Sequence, residues 1–163
     1  MGVSGCGKSS VGARLAARLG LPFIEGDVLH PQANVDKMAQ GTPLDDDDRW
    51  PWLDIIGAAI AASLAKGEGI VVSCSALKRV YRERLRQAAG GHLAFVYLHG
   101  TPELLASRMG ARTGHFMPPA LLTSQLATLE EPTGEDGVVT VSIDQPLDEI
   151  VAEASKGLER ALR

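Results

Sequence analysis

Cysteine is scarce in this chain, and its scarcity narrows the possibilities. Of 163 residues only Cys6 and Cys74 are cysteines. Two thiols cannot build a disulfide framework, and neither stands at metal-ligand spacing from any of the four histidines; a reducing cytoplasm is the setting they imply. Long apolar runs are also missing, so no membrane span is expected, and no secretory leader is visible. Positive charge is not in excess: the formal net charge is −4, which argues against a nucleic-acid partner. The cationic stretch Lys78, Arg79, Arg82, Arg84 and Arg86 lacks the interleaved exposed aromatics that a single-strand binder uses, its one tyrosine, Tyr81, being read with Leu85 and Ala88 on the opposite face. What remains is an ordinary globular composition, 45% hydrophobic and 22% charged, long enough for one domain over residues 1–163 with a sizeable core.

Against this plain background the first residues stand out. Gly2-Val3-Ser4-Gly5-Cys6-Gly7-Lys8-Ser9 is a complete G-x-x-x-x-G-K-[ST] loop. Glycines 2, 5 and 7 let backbone N–H groups, including those of Cys6 and Ser10, turn inward around phosphates; Lys8 brings a point charge to the β- and γ-phosphates, and the Ser9 hydroxyl is placed for Mg²⁺. Val11, Leu15 and Leu19 follow at helical spacing and Gly20 stops the run, so a helix N-terminus faces the phosphates. The loop therefore implies a nucleoside triphosphate, with Mg²⁺. Such a loop ordinarily hangs from a buried central strand, yet only Met1 precedes Gly2. Either about half a dozen apolar residues belong ahead of Met1 or the sheet is built without its middle; the first is the expectation adopted.

The rest of the chain reads as alternating strands and helices. Strands are predicted over 22–27, 70–74, 94–98 and 138–143, and helices over 31–40, 47–66, 76–89, 101–112, 119–130 and 146–162. With a first strand included, the pattern implies an α/β fold in three layers, a parallel five-stranded sheet covered on both faces. No N-K-x-D tetrapeptide is present, which excludes a guanine-reading switch of the usual kind. Strand 70–74 ends in Cys74-Ser75 without the acidic residue of a motor ATPase. The acid instead follows strand 22–27 as Asp27, where neighbouring strand ends open on one crevice and a carboxylate can orient an acceptor hydroxyl.

Several blocks carry a wider likeness: Gly26-Asp27 with His30-Pro31; Gly41-Thr42-Pro43-Leu44, Asp46-Asp47-Asp48-Arg49 and Pro51-Trp52-Leu53; Cys74-Ser75-Ala76-Leu77-Lys78 with Tyr81-Arg82; Arg108, Ala111-Arg112 and Gly114-His115-Phe116; Gln125 with Thr128-Leu129-Glu130-Glu131-Pro132; and Asp144-Gln145-Pro146. In this order over nearly the whole length, the chain resembles the gluconokinases, relatives of shikimate and adenylate kinases. The resemblance implies ATP- and Mg²⁺-dependent phosphorylation of D-gluconate at its 6-hydroxyl, a P-loop kinase fold with a mobile lid near 110–117, and a homodimer. It implies Lys8, Asp27 and Arg112 as catalytic residues, with Arg112 swinging over the phosphates and Arg108 beside it or on the adenine, and it counts Pro146 among the nucleotide contacts. Asp27 is alternatively a metal contact through water.

For the acceptor, a small acid, cationic and polar partners converge from three segments: His30 after Asp27, Arg49 after the acidic run, and Lys78 with Arg82 one turn apart on a helix opening at the crevice. Asp45 to Asp48 reads as a helix N-cap that complements the dipole. Two other readings stay open: a shikimate-type kinase, and a nucleotide-gated switch that hydrolyses ATP without a small acceptor.

Overall fold

The computed structural model describes residues 1–111 and 119–162. The loop runs into α1 (Lys8–Leu19), which buries Val11, Leu15 and Ala16 on one stripe and is closed by Gly20 in the left-handed conformation, φ 68°. β1 (Phe23–Glu25) follows, then a 3-10 turn over Gly26–Leu29, α2 (Gln32–Ala39) and α3 (Asp46–Ala65). The acidic run caps α3 as its composition predicts. Asp45 accepts from the Asp48 amide at 2.8 Å, and the Asp48 carboxylate reaches back to the Asp45 amide at 3.0 Å, a reciprocal box. β2 (Val71–Ser73), α4 (Arg79–Ala88), β3 (Phe95–His99), α5 (Pro102–Ala111), α6 (Pro119–Thr128), β4 (Val138–Ser142) and α7 (Leu147–Ala161) complete the order.

All pairing among the described residues is parallel, in two ladders: Phe23 opposite Val71, and Phe95 opposite Val138. Four strands are present among the described residues, in two pairs; they are the four predicted within the chain, the fifth having been expected ahead of Met1. The first residues bridge the pairs. Met1 donates its amine to the Val96 carbonyl at 2.6 Å and accepts from the Leu98 amide at 3.0 Å, the alternation of a parallel ladder, while the Gly2 amide donates to the Ser75 carbonyl at 3.2 Å. Behind Met1 lies an apolar cavity of about 270 Å³, walled by Val11 and Leu15 of α1, Ile56 and Ile60 of α3, and Val72 and Val96 of the flanking strands. The cavity sits where the fifth, central strand was predicted.

One tie holds the carboxyl end of β2 to the distant segment after α6. Arg82 on α4 is fully buried, and all its N–H donors are engaged: to both Glu135 carboxylate oxygens, at 2.6 and 3.0 Å for the closest pairings, and to the carbonyls of Ala76, Leu77 and Glu130. Arg86 donates to the other side of Glu135 at 2.9 Å. Arg82 was predicted to touch the acceptor; the structure corrects this, because a guanidinium with no free donor cannot bind a ligand. Its work is to pin the loop 74–78, where Ala76 is held at φ 47°, a strained conformation for a residue with a side chain.

Two predictions follow from this architecture. The hydrogen bonds from Arg82, reinforced by Arg86, hold the Glu135 carboxyl at about 2, below its ordinary 4.5. A depressed carboxylate stabilises the fold fully above the unfolded value and loses that contribution as pH falls from about 4.5 towards 2. Glu135→Gln should therefore cost on the order of 3 kcal/mol at neutral pH, by leaving Arg82 buried without its counter-charge, and should flatten stability across that acid window. Urea unfolding at stepped pH measures both, and a variant as stable as the parent at neutral pH would show the cluster to be worth nothing net.

The cavity behind Met1 yields the second. Extending the chain ahead of Met1 by about five or six β-branched apolar residues, a strand's length, should fill the slot and pair with β2 and β3. The unfolding free energy from urea titration should rise by several kcal/mol through buried apolar surface, and an unchanged value would show the slot closed to a strand.

Candidate active site

The loop from Gly2 to Ser9 is shaped by close approach. Gly5 and Gly7 sit at φ 83° and 94°, and a Cβ on Gly5 would meet Met109 Cγ at 2.9 Å and the Leu105 carbonyl at 3.2 Å. α5 thus closes on the loop with only glycine's clearance. Gly7 serves as N-cap of α1 with no side chain capping it. The amides of Gly7, Lys8, Ser9 and Ser10 find no acceptor among the described residues. Four N–H groups at a helix N-terminus, with Lys8 beside them, make an anion cradle. The Lys8 ammonium meanwhile donates to the Val3 carbonyl at 3.1 Å, folded back over the loop. Cys6 was counted among the nucleotide contacts; its side chain is turned into the core, 1% exposed, and its amide donates to the Val3 carbonyl at 3.3 Å.

Beside the loop is a small cleft of about 40 Å³, and its wall gathers much of what the sequence nominated: Lys8, Asp27, His30 and Arg49, with Ser75 and Gln125. The turn carrying Asp27 and His30 is fastened at Gly26. Its amide donates to Ser73 Oγ at 3.1 Å, that hydroxyl donates to Glu25 at 2.5 Å, and its carbonyl accepts from Trp52 Nε1 at 2.8 Å. His30 stacks on the buried Trp52 ring, 4.1 Å between centroids at 12°. Burial, with the Arg49 charge adding to it against Asp27, pushes the His30 imidazole down to about 4, so the ring is neutral at physiological pH.

Arg49 enters from the first turn of α3 and is buried. Its Nη1 donates to the Tyr81 hydroxyl at 3.0 Å, and that hydroxyl donates to Asp46. Lys78 also donates to Asp46, at 2.9 Å. Tyr81 and Lys78 together hold the Asp46 carboxyl below the ordinary range. This relay orients the guanidinium while spending one donor on Tyr81. Lys78, nominated with Arg49 for the acceptor's carboxylate, is paired outward and does not line the cleft.

On the other side of the loop, Arg108 Nη2 donates to the Ile143 carbonyl at 2.6 Å, fastening α5 to the end of β4, just ahead of Pro146, the N-cap of α7. Arg108 and Pro146 thus share one edge. Arg112, Gly114, His115 and Phe116 lie outside the described residues. Sequence reasoning missed Asn34 and Tyr81, which hold His30 and Arg49. Asn34 stands four residues after His30, and that spacing on a helical path was the available signal. Among the described residues no three or more His, Cys, Asp or Glu side chains cluster to hold a metal. No helix among them is long and apolar enough to cross a membrane.

Comparison with known proteins sharpens the picture. A family model described as an AAA domain matches residues 1–132. The chain is 44% identical to the thermoresistant gluconokinase of Escherichia coli K12, over 98% of this chain and 91% of that protein. It is 49% identical to a gluconokinase of Gluconobacter oxydans, over 94% and 85%. Among solved structures, a gluconokinase from Sinorhizobium meliloti superposes with a TM-score of 0.90 at 60% identity, covering 98% of this chain and 89% of that one. An APS kinase of Mycobacterium tuberculosis superposes with a TM-score of 0.70 at 22% identity and shares the fold. Likeness that runs from the loop through the acceptor-side turn to the last helix, and not through the loop alone, makes this chain a member of the gluconokinase family of P-loop kinases.

Proposed function

We infer that the protein transfers the terminal phosphoryl group of ATP to the 6-hydroxyl of D-gluconate, giving 6-phospho-D-gluconate and ADP. The observation that carries this reading, beyond family membership, is the cleft wall. One small space adjoins the phosphate cradle and is lined by a carboxylate, a neutral imidazole and an oriented guanidinium, from Asp27, His30 and Arg49. A polyol acid offers a reacting hydroxyl, neighbouring hydroxyls and a carboxylate, and those three kinds of group suit them. A switch that hydrolyses ATP alone needs none of them.

Phosphoryl transfer asks for alignment and positive charge more than for covalent chemistry. The loop amides of Gly7 to Ser10 and the Lys8 ammonium, released from Val3, hold the β- and γ-phosphates. The same loop fits Mg²⁺, with the Ser9 hydroxyl as protein ligand and Asp27 reachable through water; the ion would neutralise charge on the phosphate oxygens. Arg49 anchors the gluconate carboxylate. Asp27 accepts a hydrogen bond from the 6-hydroxyl and holds that oxygen in line. As the new O–P bond forms and the bond from the γ-phosphorus to the β,γ-bridging oxygen breaks, the hydroxyl proton passes to Asp27 and then to solvent. Arg112 is proposed to cover the transferring group from the lid, and Arg108 with Pro146 to flank the nucleotide base. A cytoplasmic homodimer is the proposed form.

A coupled ADP-release assay over gluconate, shikimate, glycerate, glucose and nucleoside monophosphates should single out gluconate by orders of magnitude; ADP release at the same rate with no acceptor would sink the reading. Within that assay, Asp27→Asn keeps the side chain's size and removes its charge. We expect kcat to fall about 10²-fold or more, as for positioned acid–base groups, with the ATP dissociation constant little changed. Near-normal turnover would remove Asp27 from the mechanism, and a large loss of Mg-ATP affinity would move it to the metal.

A further inference from the structure

Asn34 on α2 is a polar side chain buried at 3% exposure, and its contacts decide the chemistry of its neighbour. Its Nδ2 lies 2.8 Å from the main-chain carbonyl of Asp48 and 3.2 Å from His30 Nδ1. A carbonyl oxygen can only accept, so the atom facing it is the amide nitrogen. That nitrogen carries two hydrogens, one for Asp48 and one for His30. His30 Nδ1 must then be the accepting, unprotonated ring nitrogen, and the single proton of the neutral ring resides on Nε2. Protonating Nδ1 as well would set one N–H against another.

The remaining surroundings agree. Trp52 stacks on one face of the ring and is itself fixed by the Gly26 carbonyl. Asp27 from the same turn, Arg49 from α3 and Lys8 from α1 are the charged groups lining the cleft with it. Nε2 has no partner among the described residues. We propose that Asn34 is a positioning residue that locks His30 as an Nε2–H donor, so that His30 recognises an oxygen of the polyol acid next to the hydroxyl aligned by Asp27 and takes no part in moving the proton. This gives the turn a division of labour: Asp27 accepts, His30 donates. An acceptor molecule is read at two neighbouring oxygens of opposite hydrogen-bonding sense, which selects vicinal polyols over simple alcohols. The substrate half of this inference rests on the proposed gluconate phosphorylation; the ring assignment does not.

The test separates the two. In long-range ¹H–¹⁵N spectra of the full chain, His30 should show an unprotonated Nδ1 and a protonated Nε2, unchanged across neutral pH; the opposite pattern, or a mixture, overturns the inference whatever the enzyme phosphorylates. Kinetics test the role. Asn34→Asp offers Nδ1 an acceptor, so that at about pH 8, where an imidazole paired with a carboxylate is neutral, the proton moves to Nδ1 and Nε2 loses its donor. The KM for gluconate should rise about tenfold, one hydrogen bond's worth, with the KM for ATP unmoved. His30→Gln keeps a neutral donor near the Nε2 position and should retain most of the affinity. Placed in that background, Asn34→Asp should cost little further, since its effect runs through the imidazole. An equal penalty in both backgrounds would make Asn34 a purely structural residue and overturn the proposal. A chain with the predicted ring but no turnover of gluconate would overturn the functional reading and leave the ring assignment standing.

Discussion

The arrangement of the site depends on how closely the backbone of Gly26 approaches the end of β2. A Cβ at that position would fall 2.0 Å from the Ser73 carbonyl oxygen, well inside any tolerable contact, so no other residue lets the 3-10 turn seat there. Once seated, the turn uses its polar backbone fully: the Gly26 amide on Ser73, its carbonyl on Trp52. Each bond contributes about 1 kcal/mol net, modest singly, but losing a partner of a buried group would cost more than the bond provides. Asp27 and His30 inherit their positions from that seating. Trp52 then performs a second task by stacking on His30, so that one indole fixes both the backbone and the imidazole.

A similar economy governs the cationic side of the cleft. Arg49, Tyr81, Asp46 and Lys78 form a chain in which the carboxylate takes both the phenol and the ammonium. The consequence is asymmetric. Lys78 is neutralised locally, while Arg49 meets its network through a hydroxyl and keeps its charge for the cleft. Two cations that look equivalent in sequence are thereby separated into one that faces the cleft and one that is paired away from it. Arg82, the third of the nominated cations, is removed altogether by Glu135.

What was legible in the sequence divides along the same line. Local signals read correctly: the glycine-rich loop opening α1, the Asp45–Asp48 box starting α3, and the elements in their order; Asp27, expected as the last residue of its strand, lies two residues beyond β1 in the 3-10 turn. These depend on residues within one or two turns of each other, where spacing and chemistry suffice. The fate of Arg82 was not legible, because Glu135 lies 53 residues away and nothing on α4 itself distinguishes a buried guanidinium from an exposed one. The burial of the Cys6 side chain was hidden for a comparable reason: a residue inside a phosphate-binding motif invites a functional reading, while its side-chain direction is set by the fold beneath the loop. Strand ends were the softest boundaries. β2 spans Val71–Ser73 where the β-branched run suggested 70–74, since pairing with the short β1 limits its ladder to three rungs.

The likeness to the APS kinase is one of fold alone. At 22% identity and a TM-score of 0.70 the two share a fold, and a fold by itself assigns no acceptor. The phosphate cradle is made of backbone amides and one lysine, so it can persist while nearly every side chain changes. The cleft wall is different in kind. It is built from side chains on the 3-10 turn and the first turn of α3, held by Trp52, Asn34 and Tyr81, and none of these supports touches the cradle's own amides. Change can therefore fall on the wall while leaving the nucleotide side intact. On the function proposed above, recognition of the acceptor would fall less to the loop than to the short stretch from Gly26 to Trp52, where Gly26, Asn34 and Trp52 fix the surroundings of Asp27 and His30.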